Sequence, residues 1–247
     1  MSVFNRNGAF VQLKLTFSKG LIDGIPIALG YLSVSFGFGI VAMNAGLSVL
    51  AALGISMSNL TSAGQAAGVG IIAAGGTYLE MLLTQLVINM RYALMGITLS
   101  QKLDDSFTTP RRMIAAFGIT DEIFALAASK PGTITPKYMY GLIVLPFIGW
   151  SLGTFLGAVA STMLPAMISS AMGIVLYAMF FALIIPPARK DYHILVVIMI
   201  AVGLSILFSN LFFGISSGFV IIISAVVASA LGAVLYPMNF DDEEEAA

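Results

Sequence analysis

Long apolar runs separated by short polar connections dominate the chain, and most of these runs have the length of a membrane span. A spanning helix needs about 20 mostly apolar residues. Runs of this kind lie at residues 21–45, 77–100, 112–129, 137–163, 192–210 and 213–236. Two further apolar segments, 48–75 and 165–186, are ambiguous, because the chain could cross there or dip in and return. The pattern predicts an all-α polytopic membrane protein with about six full spans and two broken or re-entrant segments.

Basic residues outside the spans indicate whether the two ambiguous segments cross the membrane or return, because cytoplasmic loops carry an excess of Lys and Arg. These residues fall in four places: the N-terminal arm 1–19; Lys102, Arg111 and Arg112; Lys130 and Lys137; and Arg189 and Lys190. If both ambiguous segments crossed, the second and fourth groups would lie outside. If both dip, only Lys130 and Lys137 lie outside. We therefore predict two dips, both termini in the cytoplasm, and positions 107 and 132 on opposite sides of the membrane.

Two dips leave three full crossings in each half, so the second half would be inverted relative to the first. The first predicted span, "GLIDGIPIALGYLSVSFGFGIVA", and the fifth apolar run, "YGLIVLPFIGWSLGTFLGAVAST", share a Pro shortly after a Gly and further Gly residues at helical spacing. We predict an inverted repeat of about residues 20–130 and 136–237 in one transmembrane domain. The alternative is that Gly and Pro are simply common in membrane helices.

The composition agrees with a membrane protein, since 59% of the 247 residues are hydrophobic and 9% are charged. There is no cysteine, which excludes disulfides, thiolate metal sites and Cys nucleophiles. The net charge of −1 gives no indication of nucleic-acid binding. The ending "FDDEEEAA" predicts a disordered acidic tail at 238–247. A GxxxxGK[ST] signature is absent, so coupling to ATP within this chain is not expected. No cofactor is expected.

Five ionisable residues lie within or at the ends of apolar runs: Asp23, Glu80, Arg91, Asp121 and Glu122. A charge at mid-membrane costs about 2.5–3.5 kcal/mol even on a lenient insertion scale, so each needs a reason to be there. Asp23 and Glu80 lie near helix starts, where water and the helix dipole favour an acid.

Arg91 and Asp121 are predicted to pair. The connection "QKLDDSFTTPRR" is centred near residue 106, with Arg91 15 residues before it and Asp121 15 residues after it. Equal rise per residue in an antiparallel hairpin brings both side chains to a similar depth. Asp121 or Glu122 would then remain free to titrate, whereas a purely structural ion pair is the alternative.

The stretch "LTSAGQAAGVGIIAAGG", residues 60–76, consists mostly of Gly and Ala around Gln65. Irregular backbone at membrane depth is tolerated where protein or a water-filled cavity satisfies it. Broken helices offer N-termini to the carboxylate of an amino acid, and carbonyls or an acid to its ammonium group. Close packing of helices through small residues explains the same composition, so both interpretations remain open from these residues alone.

Four stretches in order resemble the AzlC family, the larger subunit of bacterial branched-chain amino-acid exporters. They are "GIPIALGYLSVSFGFGIVA" (24–42), "SAGQ" (62–65), "INMRYALMG" (88–96) and "ITDEIFAL" (119–126). The resemblance implies export of Leu, Ile, Val or similar amino acids across the bacterial inner membrane, together with a small membrane subunit of the AzlD type. Tyr92 departs from the pattern, in which His follows the Arg.

We therefore expect a secondary transporter that works by alternating access. Its site is expected at mid-membrane, between the first predicted span, the Gly- and Ala-rich stretch 60–76 and the predicted spans 77–100 and 112–129. The expected substrate-binding residues are Pro26, Gly30, Ser62, Gly64, Gln65, Asn89 and Arg91; Arg91, Asp121 and Glu122 are expected to couple protons or form an ion pair. The expected partners are the amino-acid substrate, membrane lipid and the small subunit. No catalytic or metal-binding residues are expected.

Two other functions compete with this one. Opposed re-entrant segments also occur in passive small-solute channels, but paired Asn-Pro-Ala signatures are absent, and a buried Arg/Asp/Glu set fits a gated carrier better. An intramembrane enzyme has little support, because the single histidine, His193, lies beside the charged "PPARKDY" connection and forms no Ser/His or metal constellation.

Overall fold

The computed structural model describes residues 3–4, 10–11, 15–163, 165, 167, 178, 181, 184–211 and 216–237. Within this part of the chain the protein is helical, apart from two strands of two residues, β1 (Val3–Phe4) and β2 (Phe10–Val11), which pair antiparallel. The helices are α1 (Phe17–Asn44), α2 (Val49–Ser58), α3 (Ser62–Ala73), α4 (Tyr78–Ser100), α5 (Thr109–Phe117), α6 (Asp121–Ala128), α7 (Pro136–Ser161), α8 (Tyr192–Leu211) and α9 (Ser217–Leu235). Residues 184–190 are also helical.

Among the described helices, α1, α4, α7, α8 and α9 are long and apolar enough to cross a membrane. They correspond to the runs predicted at 21–45, 77–100, 137–163, 192–210 and 213–236. The prediction of an all-α polytopic membrane protein is therefore confirmed. The ambiguous segment 165–186 lies largely outside the described residues, and the predicted tail 238–247 lies wholly outside them.

Helices α1 and α7 run parallel to each other in close contact through glycine. A Cβ atom at Gly141, early in α7, would overlap the carbonyl of Phe17, early in α1. A Cβ atom at Gly157, late in α7, would overlap the carbonyl of Phe36, late in α1. The contact therefore advances along both helices in the same direction, and the small residues of α7 let the two backbones approach closely.

The parallel direction of α1 and α7 contradicts the predicted inversion of the two halves, because the first helices of inverted halves run in opposite directions. The start of α7 lies at the start of α1, where the Thr135 hydroxyl donates to the Leu15 carbonyl at 2.7 Å. Lys130 lies at this same end, with its Nζ 2.8 Å from Asp23 Oδ2. The charge count places Lys130 on the opposite side from Lys102 because it takes residues 112–129 as a full crossing.

The predicted span at 112–129 is wrong, because the chain breaks there into α5 and α6. Gly118 ends α5, and the Thr120 hydroxyl accepts from the Ile123 amide at 3.4 Å to cap α6. The Lys102 ammonium, just after α4, donates to the carbonyls of Ala128 and Lys130 at the end of α6. The segment thus returns to the end from which it started, and it is re-entrant.

The segment 48–75 is also broken, between α2 and α3. It begins where α1 ends, because the Leu47 amide donates to the Ala42 carbonyl at 3.1 Å. Helix α4 finishes at the opposite end of the bundle, where the Asp104 amide donates to the Ile134 carbonyl beside the start of α7. A span-length α4 fits an α3 that returns the chain to the end where α2 began, so the break agrees with the predicted broken or re-entrant segment.

By its contacts the chain divides into two compact units. One comprises Met1–Ala66 and Asn89–Leu176, and its core includes Ile123, Tyr138 and Leu142. The other comprises Ala67–Ile88 and Tyr177–Ala247. In this second unit α8 and α9 are antiparallel, since the ring of His193 lies 4.1 Å from that of Tyr236, centroid to centroid. The predicted repeat boundaries remain a prediction.

Candidate functional site

The tips of the two re-entrant segments border one cavity inside the first unit. Its volume is about 170 Å³. The lining residues come from both breaks and from α4; they are Ser58, Asn59, Leu60, Thr61, Asn89, Tyr92, Ala116, Phe117 and Ile119. Pockets for drug-sized ligands occupy about 300–1,000 Å³, so this cavity suits a smaller solute.

Local side-chain hydrogen bonds cap the helices at both breaks, between α2 and α3 and between α5 and α6. The backbone of Asn59 is extended at the end of α2, and its side-chain carbonyl accepts from the Thr61 amide at 3.1 Å. The Thr61 hydroxyl accepts from the Gly64 amide at 3.4 Å and so caps α3. Thr120 caps α6 in the same way. Two helices therefore begin beside the cavity, and helix N-termini favour anionic groups.

A second cavity of about 340 Å³ lies between α4 and α5 in the same unit. Apolar side chains and Gly96 form most of its wall, and Arg112 lies at the end near the connection between the two helices. It shares Ala116 and Ile119 with the first cavity. The two spaces therefore border the same tip of the α5–α6 segment.

Arg91 and Asp121 form the ion pair that the sequence predicts. Arg91 Nη1 lies 2.8 Å from Asp121 Oδ2, and Arg91 Nη2 donates to the Tyr92 hydroxyl at 3.2 Å. The two charged side chains are 39% and 29% exposed. The guanidinium thus connects α4 to the first turn of α6, next to two cavity residues, Asn89 and Tyr92.

Tyr31 of α1 is a site residue that sequence reasoning missed. Its hydroxyl contacts the Glu122 carboxylate and lies 2.6 Å from the Thr120 hydroxyl. Its ring packs edge-on against Trp150 of α7, with centroids 5.2 Å apart. A buried tyrosine normally finds a partner for its hydroxyl, and Tyr31 lies within the first stretch that resembles the AzlC family. A tyrosine within a family-like stretch of an apolar helix was therefore the sequence feature that could have indicated a polar contact at Tyr31.

Gln65 lies behind the cavity, where it joins three helices. Its Nε2 donates to the Ser56 hydroxyl at 3.0 Å, and Ser56 in turn lies 2.7 Å from the Thr154 hydroxyl of α7. Gln65 is 1% exposed, and its Oε1 has no hydrogen-bond partner among the described residues. The side chain does not line the cavity. Ser62 and Gly64, the other predicted residues of this stretch, lie in the first turn of α3.

Pro26 and Gly30 do not reach the cavity. Both are exposed on α1, and a Cβ atom at Gly30 would meet nothing within 4 Å. Helix α1 continues through Pro26 without a break. Of the predicted substrate residues, Asn89 alone lines the cavity. Their roles in binding remain predictions.

Comparisons with known proteins place the chain among membrane proteins of one family. The family model described as AzlC protein matches residues 26–164. The inner membrane protein YgaZ of Escherichia coli (strain K12) is 28% identical over 189 residues, which cover 73% of this chain and 77% of YgaZ. An uncharacterized membrane protein of Archaeoglobus fulgidus is 29% identical over 172 residues, or 69% of this chain and 75% of the relative. No solved structure matches the chain.

The matched region contains the whole of both re-entrant segments, the cavity at their tips and the ion pair of Arg91 with Asp121. It also covers α7 completely and α1 from Pro26 onward. More than half of the chain is included, and the named relatives are membrane proteins. The chain is a polytopic membrane protein that belongs to the AzlC family.

Proposed function

We propose that this chain is a secondary transporter that exports Leu, Ile, Val or similar neutral amino acids from the cytoplasm by alternating access. The observation that carries the proposal is the meeting of the breaks in the two segments, α2–α3 and α5–α6, at one small cavity with both polar and apolar walls. Helix breaks at membrane depth occur where they line a cavity, and transporters bind substrate and ions at such places.

The chemistry of the cavity suits a zwitterion with an apolar side chain. The positive end of the α3 helix dipole, at its N-terminus, favours a carboxylate. Asn59 and Asn89 supply amide groups for further hydrogen bonds, whereas Leu60, Phe117 and Ile119 offer apolar contact. Gln65 would then act as a positioning residue that holds α3 against α2 and α7.

Coupling would involve the two acids of α6. Asp121 is balanced by Arg91, whereas Glu122 faces the uncharged hydroxyl of Tyr31. Movement of α6 relative to α1 or α4 would change these contacts, which gives each acid two environments. We propose that Asp121 or Glu122 takes up the coupling proton, and that the chain has no catalytic activity.

Basic residues support a cytoplasmic position for the start of α1. Lys19, Lys102 and Lys130 all lie at this end of the first unit, together with the start of α5, which carries Arg111 and Arg112. The positive-inside rule therefore favours this end as cytoplasmic. In the second unit Tyr236 lies beside His193, near Arg189 and Lys190, which favours a cytoplasmic C-terminus as well. We propose the bacterial inner membrane as the location.

Leucine counterflow in reconstituted vesicles tests the proposed function. The chain is incorporated with and without a small subunit of the AzlD type, the proposed partner, and labelled leucine enters against unlabelled leucine. Saturable counterflow, with valine and isoleucine competing and glutamate failing to compete, is the expected result. Flux of leucine that does not saturate would instead favour a passive channel and contradict the carrier.

A further inference from the structure

Glu80, in the first turn of α4, is a buried acid of the second unit that the proposed site does not use. It is 3% exposed, and its Oε1 accepts from the Gly218 amide of α9 at 3.0 Å. No basic side chain pairs with it in the part of the chain that the structure describes. A buried carboxylate in a membrane helix is expensive unless something balances it.

Two buried hydroxyl groups, on Thr84 beside Glu80 and on Ser216 at the start of α9, lack partners among the described residues. Thr84 lies one turn further along the same face of α4; it is 0% exposed, and its hydroxyl has no hydrogen-bond partner among the described residues. Ser216, two residues before Gly218, has a buried hydroxyl that is also unpartnered within the same described residues. Buried polar atoms are nearly always satisfied by protein, water or an ion.

One carboxylate oxygen of Glu80 and the hydroxyl oxygen of Thr84 both lie close to Gly218. A Cβ atom there would lie 2.5 Å from Glu80 Oε1 and 2.9 Å from Thr84 Oγ1. Glu80 Oε2 lies 2.7 Å from the position that a Cβ atom of Gly76 would take. Small residues thus let a carboxylate and a hydroxyl group approach the start of α9 together.

We propose that Glu80, Thr84 and Ser216 bind a small monovalent cation, Na⁺. Hard cations prefer oxygen ligands, and one carboxylate balances one positive charge in a medium of low dielectric constant. A proton on Glu80 would neutralise the carboxylate and satisfy one hydroxyl group, but a cation also gives the second hydroxyl a partner. None of these residues belongs to the proposed amino-acid site, so the cation site does not rest on the proposed function.

Thermal unfolding of the full-length purified chain in detergent, without amino acid, tests the site. Na⁺ is compared with K⁺ and choline at constant ionic strength and pH. At about five times the Kd, Na⁺ is expected to raise the apparent Tm by about 2–4 °C, whereas K⁺ and choline are not. An equal Tm in the three salts would overturn the proposal.

The variants Thr84→Val and Glu80→Gln identify the ligands. Thr84→Val removes an unpartnered oxygen and keeps the shape of the side chain, so it should fold and bind Na⁺ at least about tenfold more weakly. Glu80→Gln should abolish the Na⁺ response. Thr98→Val, on an exposed part of the same helix, is the matched control and should keep the wild-type response.

Retention of the Na⁺ response by Glu80→Gln, or by Thr84→Val if the first variant does not fold, would contradict the assignment. A Tm that depends on pH through Glu80 but not on Na⁺ would assign a proton to the site and overturn the cation. Because no amino acid is present, failure here leaves amino-acid export intact. Failure of leucine counterflow likewise leaves the Na⁺ result intact.

Discussion

The guanidinium of Arg91 lies 2.8 Å from the carboxylate of Asp121, and the contact joins a membrane-spanning helix to the returning half of a re-entrant segment. Asp121 is in the first turn of α6, beside the break that borders the cavity. The same turn carries Glu122, which Tyr31 of α1 contacts. Two polar connections from two spans therefore set the position of the α5–α6 tip.

Removal of Asp121 should leave the charge of Arg91 without its partner. Because both side chains are partly exposed, Asp121→Asn is expected to lower the free energy of unfolding by about 1–3 kcal/mol. A double-mutant cycle of Arg91→Gln and Asp121→Asn, measured by thermal unfolding, should give a coupling of at least about 0.5 kcal/mol. Additive effects would show that the two residues do not interact.

Loss of the Tyr31 hydroxyl should loosen the start of α6. Tyr31→Phe keeps the ring against Trp150 but removes the contacts to Thr120 and Glu122, which is expected to cost about 1–3 kcal/mol of stability. Tyr78→Phe is the control, because Tyr78 is 97% exposed; its effect should stay within about 0.5 kcal/mol. Equal effects of the two variants on thermal unfolding would contradict the role given to Tyr31.

The glycine contact between α1 and α7 should not tolerate a methyl group. In Gly149→Ala the new Cβ atom would come within 2.5 Å of the Ala28 carbonyl oxygen, so we expect a loss of about 1–3 kcal/mol. Gly203→Ala in α8, where a Cβ atom meets nothing within 4 Å, should be neutral or stabilising by up to about 1 kcal/mol. The difference in Tm between these variants checks the contact, and a tolerant Gly149 would contradict it.

Sidedness labelling should distinguish the observed topology from the one that the charge count predicts. In the natural background without cysteine, single cysteines at position 106, the exposed neighbour of the buried Phe107, and at position 132 are expected to react from the same side of the membrane, together with position 18. A cysteine at position 48, before α2, should react from the other side. Reaction of 106 and 132 from opposite sides would restore the inverted arrangement.

The spans could be predicted because length and apolar character are properties of each segment alone. The direction of α7 could not, because it depends on whether residues 112–129 cross the membrane or return, and Lys130 and Lys137 lie on whichever side that segment ends. The break between α5 and α6, at Gly118 and Thr120, could not be predicted from the sequence either. A threonine that caps a helix inside an apolar run looks in sequence like any other threonine of a membrane helix.

The site was predictable where a residue carries a large desolvation penalty. Arg91, Asp121 and Glu122 were selected for that reason, and the structure brings Arg91 and Asp121 together. The argument from equal depth was correct for this pair even though α5 and α6 form no single span, because α5 alone carries the chain to the depth of Arg91.

Tyr31 and Asn59 were missed, since their roles depend on which other helices they face. Gln65 was found, but its bond to Ser56 belongs to packing behind the cavity.

The central claim, that amino acids bind where the two re-entrant tips meet, is tested most directly by substrate protection of a cysteine in the cavity wall. Ser58→Cys places a thiol in that wall, and Ser106→Cys places the matched thiol in the exposed connection after α4. Reaction with a small thiol reagent is followed in vesicles that contain the transporter. At about ten times its Kd, leucine should slow the modification of Ser58→Cys about tenfold and leave Ser106→Cys unchanged. Equal rates at Ser58→Cys with and without leucine, in a variant that still transports leucine, would contradict the account.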